Sequence, residues 1–139
     1  MKATASEYMM VLRDTDWDEG LSTEEVAETI DRYHEWFNRL LEGNVITGGR
    51  PLLAGGRVVS LSSDGTATDG PFVESKEVIG GHINIQASSL EEAVEIARTF
   101  PPLQRGVKIE LRELAAECPV SRRHAERVAS QHALSGVEA

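Results

Sequence analysis

Apolar and polar positions follow two rhythms along this chain. "YMMVLR" (8–13) is a short apolar run of strand length. The polar "DTDWDEG" after it reads as a loop. Over "STEEVAETIDRYHEWFNRLLEG" the rhythm lengthens. Val26, Ile30, Tyr33, Phe37, Leu40 and Leu41 recur at three and four residues and predict an amphipathic helix, with His34 and Trp36 on opposite edges of its apolar face. Ser22 and Glu25 have the spacing of a capping box, and Gly43 suits the left-handed turn that ends a helix. "NVITGGRPLLAGGRVVSLSS" predicts two strand segments separated by glycines, and Asp64-Gly65 is a hairpin signal. "HINIQA" alternates as a half-buried strand does. Ser89 and Glu92 repeat the capping spacing before "LEEAVEIARTF", in which Leu90, Ala93, Val94, Ala97 and Phe100 share a face. Pro101-Pro102 stops that helix, and "VKIELREL" (107–114) alternates as a strand with one wet face.

The order is strand, helix, two or more strands, helix, strand. It predicts a ferredoxin-like α+β domain of split βαβ type with an antiparallel sheet, over residues 1–116. Residues 117–139 form a C-terminal extension, partly helical or frayed, because "SRRHAERVASQHAL" has little apolar content for docking. Both helices lie on one sheet face. Met10, Leu12, Val59, Leu61, Ile83, Ile85, Ile109 and Leu111 supply apolar strand positions for two faces. A bare apolar sheet invites association, so the pattern predicts a homodimer.

Composition narrows the context. One cysteine, Cys118, excludes an intrachain disulfide and a cysteine-based metal cluster, and it suits a reducing cytoplasm. No leader-like start and no membrane-spanning apolar run is present, so a cytoplasmic protein without membrane contact is expected. The last 21 residues carry three arginines and two acids, so the net −9 of the chain becomes −10 over the first 118. Such a body repels phosphate backbones, which argues against direct nucleic-acid binding.

Chemistry is densest in "TDGPFVESKEVIGGH" (68–82). Its glycines and proline read first as turn geometry, with Gly80-Gly81 permitting a bulge or close backbone approach. The sharper reading has Asp69, Glu74 and Lys76 framing a pocket mouth, with Lys76 offsetting the carboxylates. His82 starts a strand beside the glycines, and its facing is open. His34 suits a general base but equally a helix-edge position. Arg50, after Gly48-Gly49, can hold a ligand carboxylate or form a surface ion pair. Trp17 and Trp36 either line a pocket or pack. No histidine pair has metal-ligand spacing, no serine sits in a nucleophile elbow, and no phosphate loop or dinucleotide fingerprint appears, so no metal or cofactor is expected.

The same stretch, through Asp69, Gly70, Pro71, Phe72, Glu74, Lys76, Glu77, Gly80 and Gly81, resembles the signature of the DGPF family, a branch of the YCII-related domains. "VITGGRPL" and "SLEEAVEIARTFP" sit where that family has a glycine-rich strand end and a second helix, so the resemblance covers roughly residues 6 to 114. His82 stands where the family usually has an aromatic or apolar residue. The resemblance implies a dimeric α+β barrel joined back to back through the sheets. It also implies a small organic ligand held between sheet and helices. An acid–base enzyme using His34 or His82 with Asp69, without a cofactor, is the alternative. Some family members occur beside extracytoplasmic-function sigma factors, which makes a regulatory partnership with such a factor the third reading.

Overall fold

A computed structural model of the chain describes residues 5–65, 67–71 and 79–134. Among these residues, six strands and three α-helices follow one another as β1 (Ser6–Arg13), α1 (Thr23–Glu42), β2 (Ile46–Pro51), β3 (Arg57–Leu61), β4 (Ala67–Pro71), β5 (Ile79–Ala87), α2 (Leu90–Arg98), β6 (Lys108–Glu113) and α3 (Pro119–Leu134). A short 3-10 helix, Pro101–Arg105, joins α2 to β6. Strands β2, β5, β1 and β6, in that order, form an antiparallel sheet, with β1 and β5 at its centre. This is the ferredoxin-like α+β arrangement. Strands β3 and β4 form a separate hairpin between β2 and β5.

Local signals set the helix ends. Ser22 and Glu25 close a full capping box on α1. At its other end the left-handed residue is Asn44 (φ 59°), not Gly43 (φ −80°). Asparagine tolerates that region, and the Asn44 and Val45 amides donate to the carbonyls of Leu41 and Leu40, as a Schellman end requires. Ser89 caps α2 through the Glu92 amide, but the Glu92 carboxylate turns to Ser88 instead of completing the box.

The core lies between the sheet and α1 and α2. Pairing places Met10 opposite Ile83 and Leu111, and Leu12 opposite Gly81 and Ile109. Met10, Leu12, Ile83, Ile85, Ile109 and Leu111 therefore share the helix-side face. Two apolar sheet faces were expected, and the register contradicts this. The open face carries Met9 and Val11 among Arg13, His82, Asn84, Glu110 and Arg112, while Val59 and Leu61 belong to the separate hairpin. The buried stripe of α1 is also rotated from the expected one. Trp36 and Thr29 are buried, whereas Ile30 and Leu41 are exposed. Trp36 is 2% exposed, packs edge-on to Phe100 and donates its indole N–H to Thr99 at 2.7 Å. Helix α3 is regular over 16 residues, and none of them is buried.

Candidate functional site

Alternation and glycine together open a cleft in the helix-side face. Gly49 pairs with Ile83, and Gly81 pairs with both Leu12 and Pro51, so each sits in a row where neighbouring strands present side chains to the helices. The two glycines present none. A cavity of about 130 Å³ lies between Gly49 and Gly80 on the sheet and Tyr33 and Phe37 of α1. It adjoins a wider cavity of about 290 Å³ bordered by Thr15, Trp17, Ile30, Phe100 and Val107. Leu12, Tyr33 and Pro51 line both and form the neck between the two parts of this cleft.

The glycines are required by close approach as well. A Cβ on Gly49, whose φ is +140°, would overlap the His82 carbonyl oxygen and lie 2.8 Å from the Ile83 Cα. A Cβ on Gly81 would lie 2.9 Å from the Arg50 carbonyl oxygen. A Cβ on Gly80 would overlap the Thr15 side chain, and Gly80 is the extra residue where the pairing slips between Leu12–Gly81 and Arg13–Ile79. The bulge and the close approach expected at Gly80-Gly81 are both present.

Tyr33 dominates the neck. Its ring lies 6.0 Å from that of Phe37 and packs edge-on to Phe100 at 5.7 Å. Burial raises the pKa of its hydroxyl above the usual tyrosine value, because water no longer stabilises the phenolate. The group is therefore a neutral hydrogen-bond donor. Among the described residues none is hydrogen-bonded to it.

The residues singled out from sequence scatter around this cleft. His34 is exposed on α1, with its ring 5.7 Å from the Tyr33 ring, and it does not border either cavity. Arg50 and His82 are direct neighbours across β2 and β5. Both border the narrower cavity, and alternation turns their side chains to the open face of the sheet. There His82 Nδ1 and Asn84 Oδ1 are buried without a hydrogen-bond partner among the described residues. Beyond Val11 the same row reaches Glu110, which accepts from Arg13 and, at 3.2 Å, from Arg112. Asp69 lies in β4 opposite Val59. Glu74 and Lys76 lie outside the described residues.

Sequence reasoning left Thr15 unremarked and read Tyr33 as part of an apolar helix face. Trp17 lines the cleft and Trp36 packs, which separates two roles the sequence left open. The usable signal for Tyr33 was its hydroxyl, since a phenylalanine suffices for packing alone. Among the described residues no three His, Cys, Asp or Glu side chains are grouped as metal ligands. None of the described helices is long and apolar enough to cross a membrane.

Comparison with curated proteins finds no match for this chain. The family model of the YCII-related domain matches residues 6–115, the span from the first residue of β1 to just past β6. With that match covering all of the sheet and both core helices, the chain belongs to the YCII-related domain family.

Proposed function

We propose that this domain binds a small organic ligand in the cleft between the sheet and α1. The observation that carries the reading is the cleft's construction. Gly49 and Gly80 border its floor and carry no side chain, while Trp17, Tyr33, Phe37 and Phe100 supply aromatic walls. Small-molecule sites are typically concave and largely apolar, with a few placed polar groups. The test is to narrow the neck with Leu12→Trp and measure saturable binding of aromatic fragments by ligand-observed NMR. Wild type should bind and the narrowed variant should not, while both keep the same circular dichroism spectrum. Equal binding by the two proteins would place the ligand elsewhere.

The domain acts, on this reading, as a homodimer joined through the open sheet face, within the cytoplasm. Family membership supports the pairing, and the free, exposed Cys118 is compatible with a reducing compartment. The open face mixes Met9 and Val11 with hydrogen-bonding groups, so the interface would be polar as well as apolar. Light scattering at micromolar concentration should give the mass of two chains, and a monomer mass refutes the pairing.

A second reading has one observation in its favour. His82 stands beside Arg50 with Nδ1 buried and without a partner among the described residues, so acid–base chemistry on the open face would use His82 rather than the outward His34. His82→Ala should abolish turnover under that reading, while His34→Ala should leave it unchanged.

A further inference from the structure

We propose that the cleft selects an uncharged aromatic ligand bearing one hydrogen-bond acceptor, and that the Tyr33 hydroxyl is the group that reads the acceptor. The inference rests on the cleft being the ligand site. It follows from what the wider cavity contains. Every described residue bordering it is uncharged, in a chain whose net charge is −9. An ion moved from water into such a lining loses hydration and gains no counter-charge, which costs several kcal/mol. A neutral molecule meets no such penalty.

The polar groups in the lining point to the acceptor. Thr15, Trp17 and Tyr33 each carry a neutral donor, and none of these side chains is hydrogen-bonded to a described residue. Trp36 provides the contrast, because its indole N–H is spent on Thr99 in the core. The wider cavity, bordered by donors without a partner among the described residues and by no charged side chain, suits a carbonyl or ether oxygen better than an ammonium, and it offers a carboxylate no counter-charge. Aromatic walls at Trp17, Tyr33 and Phe100 favour a flat ring, through offset or edge-on ring contacts. Tyr33 is singled out from the three donors because it alone lines both cavities.

Acetophenone, benzoate and ethylbenzene test this as a matched set of similar size. Acetophenone is neutral with an acceptor, benzoate is charged, and ethylbenzene is neutral without an acceptor. Binding is followed by ligand-observed NMR on wild type, Tyr33→Phe and Arg50→Ala. Acetophenone should bind at least tenfold tighter than benzoate. Tyr33→Phe should weaken acetophenone by about threefold to tenfold, the effect of one neutral hydrogen bond, and leave ethylbenzene unchanged. Benzoate binding best, and losing that advantage in Arg50→Ala, would overturn the charge selectivity while the cleft remains the site. Equal weakening of acetophenone and ethylbenzene in Tyr33→Phe would show that Tyr33 only packs. Should none of the three bind saturably, or should all bind equally to the Leu12→Trp protein, the cleft itself is not the ligand site and both readings fall.

Discussion

Gly49→Ala should destabilise the fold far more than Gly48→Ala, one residue earlier. At Gly49 two costs coincide. The backbone has φ +140°, where an L side chain is strained by about 1–3 kcal/mol. The new methyl would also press on the main chain of β5, at the His82 carbonyl and the Ile83 Cα, and main chain cannot rotate aside. Forcing extra volume into a filled site costs about 1–3 kcal/mol more. The expected loss is therefore about 2–6 kcal/mol, a large part of the stability of an ordinary domain. For a chain of this size each kcal/mol moves the melting temperature by about 4 °C, so a fall of about 8 °C or more is expected. Gly48 has no described atom within 4 Å of a built Cβ and no positive φ, so its alanine variant should stay within about 0.5 kcal/mol of wild type. Urea unfolding of the three proteins, with equal m-values as the check on two-state behaviour, supplies the comparison. Similar stabilities for Gly49→Ala and wild type would refute the close-approach argument. So would equal losses at positions 48 and 49.

Gly81→Val should lose about 2 kcal/mol or more in the same assay, because its Cβ lies 2.9 Å from the Arg50 carbonyl oxygen, and a wild-type midpoint would disprove the crowding. Trp36→Ala should cost about 3–5 kcal/mol, since it empties a core position that is 2% exposed, and a midpoint within 1 kcal/mol of wild type would contradict that burial. Ending the chain after Ala116 should change stability by less than about 1 kcal/mol, because no residue of α3 is buried, and calorimetry of the truncated protein checks it. The Glu25 carboxylate is held below its usual pKa, chiefly by the Ser22 backbone N–H and then by the Ser22 side chain. A depressed folded-state pKa stabilises above the unfolded-state value and is lost as pH falls through the folded-state value. The stability gap between wild type and Glu25→Gln should therefore close on acidification below the ordinary glutamate range, and a gap independent of pH would exclude the effect.

Short-range chemistry was the legible part of this sequence. Ser22–Glu25 capping, the Pro101 stop and the order of elements along the chain depend on residues close together in sequence, and each came out as expected. Facing across strands was not legible. Alternation says that Met10 and Leu12 share a face, and so do Ile83 and Ile85, but pairing register alone decides that all four share the same one. That missing phase created the expectation of two apolar faces. The same limit hid the Arg50–His82 neighbourhood, because the pairing joins positions 32 residues apart. The placement of Trp36 at the edge of the apolar face of α1 failed for a different reason. A count of apolar spacing passes over Thr29, which is buried about two turns away and donates to the Glu25 carbonyl, so the true buried stripe is partly polar. The cleft was least legible of all, since the positions bordering it come from β1, α1, β2 and β5 and are brought together only by the fold.

The two outermost strands of the sheet bear on how this protein behaves when crowded. An outer strand with a long regular run of free amides and carbonyls can template further strands and seed fibrils. On β2 that run is broken twice, by the slip in pairing between Ile46 and Gly48 and by Pro51, which has no amide hydrogen to offer. On β6 it is flanked by the charges of Lys108, Glu110 and Arg112, which a stacked second copy would place against their own kind. The irregular β2 therefore has a colloidal consequence beside its part in the cleft: at high concentration neither side of the sheet is a good surface for strand-by-strand growth.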